Sequence, residues 1–227
     1  DPGRGTESVL GTAAAMNITA AGVVIDGMKL VGGDSVLGSG AAIYVGANGA
    51  TISNSVLEGD GSAYAGITTP YGGNITGVVV SGNLFTNWDS SAYFNPTTGV
   101  TVTGNHFDAT GSLNIVDLAA GSMVDGNMFT GSLGAPIAYD VLDSSEDVGQ
   151  FIGAGNSFDN GPARDVSIYV YGDGSAGTTV TGTGQSDRFV TDYMTNANSA
   201  DTFFGGAGND TIHGGGGVDS IAGGADD

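Results

Sequence analysis

Three consecutive segments of the form Gly-x-x-Val-x-Gly-Asn-x-Phe constrain what this chain can fold into. They read Gly77-Val-Val-Val80-Ser-Gly82-Asn83-Leu-Phe85, then Gly99 to Phe107, then Gly121 to Phe129, each beginning 22 residues after the last. Looser copies start at Gly22 and Gly49, and a further one, with an extra residue, starts at Gly149 and carries Asn156 and Phe158. The starts at 22, 49, 77, 99, 121 and 149 are separated by 27, 28, 22, 22 and 28 residues. Self-similarity at such a period marks a solenoid, in which no unit buries its own apolar face and stacking makes the core.

The unit is β. Val78-Val79-Val80-Ser81 and Val100-Thr101-Val102-Thr103 are rich in β-branched residues and alternate with period two, and a Gly-Asn pair then turns the chain before a Phe points inward. A third strand lies between turn motifs, at Ala42–Val45, Gly66–Thr68, Ala92–Phe94, Leu113–Val116, Ile137–Tyr139 and Ser167–Val170. A 22-residue coil of three strands and three turns matches a right-handed, single-stranded parallel β-helix. Through its Val-x-Gly-Asn-x-Phe turns the chain resembles the pectin-lyase-like superfamily over residues 13–171. Equivalent residues of adjacent coils are then about 4.8 Å apart. Asn83, Asn105 and Asn127 are expected to form an inward ladder, Phe85, Phe107, Phe129 and Phe158 an aromatic stack, and Ile25, Ile52, Val80, Val102, Val124 and Ile152 an aliphatic one.

Beyond Gly177-Thr-Thr-Val180-Thr-Gly182 the rhythm shortens to nine. Gly205-Gly-Ala-Gly-Asn-Asp210-Thr-Ile-His213 runs directly into Gly214-Gly-Gly-Gly-Val-Asp219-Ser-Ile-Ala222 and then Gly223-Gly-Ala-Asp-Asp227. This is the Gly-Gly-x-Gly-x-Asp-x-U-x nonapeptide, U being a large apolar residue, and it resembles RTX proteins. Glycines open backbone angles that other residues resist, the Asp adds charge, and Ile212 and Ile221 plug a two-stranded roll. Ligands that are all oxygen suit a hard cation, so Ca²⁺ is the expected cofactor. The candidate metal residues are Asp201, Gly205, Gly206, Gly208, Asp210, Gly214, Gly215, Gly217 and Asp219. The RTX resemblance implies an ion between turns two repeats apart, which pairs Asp219 with Asp201 and sends Asp210 to a position 228 beyond the given sequence. A weaker earlier match, Gly182-Thr-Gly-Gln-Ser-Asp187-Arg-Phe189, passes the helix into the roll without a linker.

The expected organisation is therefore all-β: an irregular segment 1–12, a parallel β-helix 13–181, and an RTX-like parallel β-roll 182–227 that ends inside a repeat. An Ala-rich helix is the alternative around Ala13-Ala-Ala-Met16. Lys and Arg total 4 against 24 acids, a net charge of −20, so nothing neutralises phosphates and nucleic acid is excluded as a partner. Forty-three glycines without a Gly-X-Y period exclude collagen. No apolar run reaches membrane-spanning length and no signal peptide opens the chain; Asp1 is not a start Met, so the chain reads as a trimmed piece. Cys is absent, which removes disulfides and thiol chemistry.

β-Helix proteins of this resemblance are often polysaccharide lyases, hydrolases or epimerases, and a β-helix followed by RTX repeats is similar to secreted mannuronan C5-epimerases. Such chemistry needs a base and a cation for the uronate. The Asp-Pro-His cluster of those epimerases is absent. His106 is the one weak catalytic candidate, in a column with Lys29, Val56, Leu84 and Met128, and Asp89 and Asp108 are the acids expected to come near it. Asp26 and Asp125 share an outward column but lie four coils apart. Trp88, Tyr93, Tyr139 and Tyr169, with Tyr71, would form a sugar-stacking strip if they point outward, or else fill strands as favoured β-formers. The run Asp140–Asp147 places four carboxylates in an expected loop. Two readings stand from sequence: a calcium-binding structural or adhesive protein, extracellular or on a bacterial surface and exported by type I secretion, or a polysaccharide-active enzyme or its glycan-binding remnant. An anionic or neutral polysaccharide, a cell surface, or head-to-tail copies of the chain are the expected partners besides calcium.

Overall fold

A computed structural model describes residues 8–10, 16–32, 41–61, 64–96, 98–131, 135–142, 145–159, 165–171, 177–191 and 199–225. The opening residues 1–7, the Ala-rich stretch 13–15 and the turn 196–198 before Asp201 lie outside them.

Strands from successive coils stack in parallel into three faces. Sheet 1 comprises Val24–Asp26, Thr51–Ser53, Val78–Ser81, Val100–Thr103 and Met123–Asp125. The Gly-Asn turn leads from it into sheet 2, seven strands that include Met28–Val31, Val56–Glu58, Leu84–Thr86, His106–Asp108 and Met128–Thr130. Sheet 3 has nine strands, among them Ala41–Val45, Ala65–Thr68, Ser90–Phe94, Ser112–Val116, Ile137–Val141 and Val166–Val170, the third strands expected from sequence. A strand at Ser8–Leu10 pairs with Met28–Leu30, so the coils reach into the segment expected to be irregular.

All three stacks form. Ile25, Ile52, Val80, Val102 and Val124 pair in one register, and a bridge adds Ile152. The rings of Phe85, Phe107, Phe129 and Phe158 lie 4.8, 4.7 and 5.1 Å apart at interplanar angles of 20°, 11° and 12°. In the asparagine ladder the backbone N–H and side-chain amide of Asn83 both donate to Asn105 Oδ1 at 3.0 Å, and Asn105 repeats this onto Asn127 and Asn127 onto Asn156. The other amide proton of Asn83, Asn105 and Asn127 goes to the carbonyls of Ile52, Val80 and Val102, all at 2.9 Å. Each buried amide is thus satisfied, which an unpaired polar group in this core would not be. The turn before the ladder needs left-handed backbone: Gly82, Gly104 and Gly126 have φ of 64°, 62° and 66°, and Asn54 takes the same place at 49° in the second copy.

Beyond residue 145 the cross-section changes. Sheet 4 stacks Glu146–Asp147, Thr179–Thr181, Thr202–Ala207 and Ser220–Ala225, while sheet 3 continues through Asp187–Val190 and Thr211–Ile212. Val180, Phe189 and Phe203 are buried between the two sheets, the Phe rings 5.8 Å apart and edge-on at 73°. Helix and roll therefore share a sheet, and the roll's second sheet starts before residue 182.

Candidate calcium-binding turns

The nonapeptide turns bring their aspartates into two lines, one on each side of the roll. On the first side, Thr202 pairs with Ser220 and Phe203 with Ile221, which sets Asp201 over Asp219. The Asp201 N–H donates to Asp219 Oδ1 at 3.1 Å, and the Thr178 N–H donates to Asp201 Oδ1 at 2.7 Å. This is the pair expected from the 18-residue offset.

Asp210 has an upstream partner beside the downstream one that its repeat offset implies. Its Oδ1 accepts the Asp187 N–H at 2.9 Å. The reason is strand register: Arg188 pairs with Thr211 and Phe189 with Ile212, which stacks the turn 182–187 on the turn 205–210. The two turns also close in the same way. A Cβ on Gly182 would stand 2.5 Å from Asp187 Oδ2, one on Gly214 would stand 2.6 Å from Asp219 Oδ2, and one on Gly205 would collide with Asp210 Oδ2. In each case the glycine five residues before the Asp lets the carboxylate fold back over its own turn.

At Gly206 and Gly208 the turns fit too closely for a side chain. Gly206 and Gly208 have φ of 111° and 109°, and a Cβ on Gly208 would come 2.5 Å from the Gln185 carbonyl while one on Gly206 would overlap that of Thr183. Gly215 and Gly217 hold the same offsets in the next turn with φ of 82° and 119°. Carbonyls of one turn therefore face the glycines of the next, and the carboxylates close the ends.

These bonds repeat the asparagine ladder with one change. In both, a backbone N–H points to Oδ1 of the equivalent residue one coil on, but a carboxylate only accepts. The amide-to-amide bond of the Asn column has no counterpart in the Asp column, and negative charges come to lie over one another. Asp187 is 1% exposed. Burial pushes its carboxyl up to about 7, against the lowering effect of the Thr183 N–H at 2.5 Å and hydroxyl at 2.9 Å, while Asp210 and Asp165 raise it further. Burial also raises Asp165, offset by the Ser186 N–H. Paired carboxylates with backbone carbonyls form an oxygen donor set that fits Ca²⁺, and the ion would supply the positive charge the column lacks. Among the described residues no group of three or more His, Cys, Asp or Glu converges as a metal cluster.

The other candidates from sequence are not brought together. His106 sits in the expected column between Leu84 and Met128. Its Nε2 lies 2.7 Å from Thr130 Oγ1, whose proton goes to Asp108 Oδ1 at 2.8 Å, so His106 is the donor to Thr130 in a surface hydrogen-bond chain. Asp26 and Asp125 share their column at its two ends, Asp26 accepting from Ser53 and Asn54 and Asp125 from the Gly155 N–H. The aromatic strip does not form. Trp88 is 1% exposed and its Nε1 donates to the Leu57 carbonyl at 2.9 Å, and Tyr139 is 0% exposed with its hydroxyl accepting the Leu118 N–H at 3.3 Å. Both are core residues and neither can stack on a sugar. Tyr93 and Tyr169 do face outward, but in different columns, Tyr93 beside Asn114 and Tyr169 beside Asp140. The run from Asp140 is no simple loop, since Asp140 belongs to sheet 3 and Glu146–Asp147 to sheet 4.

Residues 196–227 match a family model described as the RTX calcium-binding nonapeptide repeat (4 copies). No curated protein and no solved structure matches the chain. The chain is a parallel β-solenoid whose tail carries calcium-binding RTX repeats. Asp187 and its turn lie upstream of the matched residues. Their signal in the sequence was the shared offset of Gly182, Asp187 and the apolar Phe189. No helix among the described residues is long and apolar enough to cross a membrane.

Proposed function

We propose that this protein is an extracellular, calcium-folded β-solenoid of a bacterial surface or matrix, with a structural or adhesive role. The observation that carries the reading is the pair of aspartate lines, Asp187 with Asp210 and Asp201 with Asp219, in turns where Gly182, Gly205 and Gly214 leave no room for a Cβ beside the carboxylate. Without a cation the stacked carboxylates repel; with one they tie each turn to the next. Binding to the native form alone stabilises it, by about 2.7 kcal/mol at a calcium concentration one hundred times Kd. A chain of net charge −20 would stay unfolded at its tail in a low-calcium cytosol and fold on reaching the outside, which suits type I secretion. The asparagine ladder and three-faced coil support the pectin-lyase-like likeness, and with it a rigid rod. The polysaccharide-active alternative has lost two of its four expected aromatic contacts to the core.

Calcium titration followed by calorimetry and thermal melting tests this. Saturable heat and a rise in Tm are expected, both reduced by Asp210→Asn and by Asp219→Asn. A Tm indifferent to calcium would overturn the proposal.

A further inference from the structure

Sheet 3 carries on its outer face a group of aromatic and polar side chains that the calcium reading does not use. Tyr44, Tyr93 and Asn114 occupy one outward column, in which Thr68 is the buried member between Tyr44 and Tyr93. Tyr64, 45% exposed, lies beside Tyr93 with ring centroids 5.8 Å apart and planes tilted by 38°, and Tyr71, 80% exposed, is close enough to act on the Tyr93 phenol. The Asp140 carboxyl reaches both Tyr64 and Tyr93 electrostatically, and Asp117 stands behind it. Asn114 is held in place by its amide donating to Ser90 Oγ at 2.9 Å. Tyr93 sits on a strand paired in parallel on both sides, and Tyr64 and Tyr71 flank the neighbouring strand Ala65–Thr68.

We infer that the Tyr64–Tyr93–Tyr71 face binds a neutral polysaccharide, its rings covering the apolar face of the sugars and Asp140 and Asn114 meeting their hydroxyls. Charge decides between glycan classes. Among the described residues the carboxyls acting near these rings are Asp140, Asp117 and, through Asp117, Glu146, and no described Lys or Arg acts on either phenol. A uronate chain would be repelled by this face and by a molecule of net charge −20, whereas a neutral sugar meets no such barrier. Tyrosine suits the task because its ring is large and loses few rotamers on binding. Tyr93 lies four strand spacings from Arg188 in the same sheet, about 19 Å, so the face is separate from the calcium turns. The inference rests on the adhesive reading for its partner class but not on calcium.

The test is affinity electrophoresis of the full chain, with millimolar calcium and again with chelator, in gels containing dextran, galactomannan, xyloglucan, alginate or polygalacturonate. Retardation by at least one neutral polymer is expected, reduced about tenfold in affinity by Tyr64→Ala and by Tyr93→Ala and retained by Tyr64→Phe, with alginate and polygalacturonate inert. Circular dichroism of the same samples reports folding, so a calcium-indifferent tail and a failed glycan interaction are read separately. Four results would overturn the inference: no retardation by any neutral polymer, retardation that survives loss of both rings, ring-dependent retardation by the acidic polymers, or ring-dependent binding of a polyproline peptide in place of glycan.

Discussion

At the scale of single residues, stability is concentrated in columns whose members satisfy one another. Asn105 is 1% exposed and serves three neighbours: it accepts from Asn83 twice and donates to Val80 and Asn127. Asn105→Ala strands the Asn83 N–H and the Val80 carbonyl, and a loss of about 2–4 kcal/mol is expected from urea unfolding. Asn105→Asp keeps the acceptor and removes the donor, placing a charge in the ladder without a cation, and is expected to cost at least as much. Phe107→Ala opens a gap between two rings less than 5 Å away on either side and is expected to cost about 3–5 kcal/mol. The columns were legible in the sequence because one residue type recurs at a fixed offset. Trp88 was not, because it occurs once, in a connection whose direction no repeat reveals. Tyr139 was left between the strip and the strand interior because it was grouped with Tyr93 and Tyr169 by type, whereas counting by twos from Ile137 to Val141 places it inside, as the burial of all three shows.

At the scale of elements, the instructive region is the exchange of sheet 1 for sheet 4. The nine-residue tail period was plain in the sequence, yet the upstream partner of Asp210 was not, because the turn 182–187 spells its glycines imperfectly and only strand register reveals the stacking. Around this exchange two carboxyls are held high: Asp140 is raised from 3.8 to about 6 by burial and then Asp117, and Glu146 from 4.5 to about 7 by burial and then Asp117 and Asp147. A carboxyl raised in this way binds more protons folded than unfolded, so its stabilising share is present at low pH and is lost as pH rises from about 4 through 6 to 7. Asp140→Asn is therefore expected to raise Tm relative to the parent above about pH 6 and to flatten the decline between pH 4 and 7, as read by melting at a series of pH values. An unchanged difference between the two proteins across that range would show that Asp140 is not buried as described.

At the scale of the whole molecule, one structural device does two jobs. In the coils a column of amides neutralises itself and needs nothing from outside; in the roll a column of carboxylates repeats the same backbone bond and calls for a cation. The rod is accordingly expected to stand without calcium and the roll to depend on it, with the dependence reaching upstream to Asp187 through the shared sheet. Hydrogen exchange read by mass spectrometry, with calcium and with chelator, tests this most directly. The account predicts that chelation speeds exchange across 178–225, the turn 182–187 included, while strands between 41 and 130 keep their protection. Exchange in 182–187 that ignores calcium, or protection lost evenly along the coils, would contradict it.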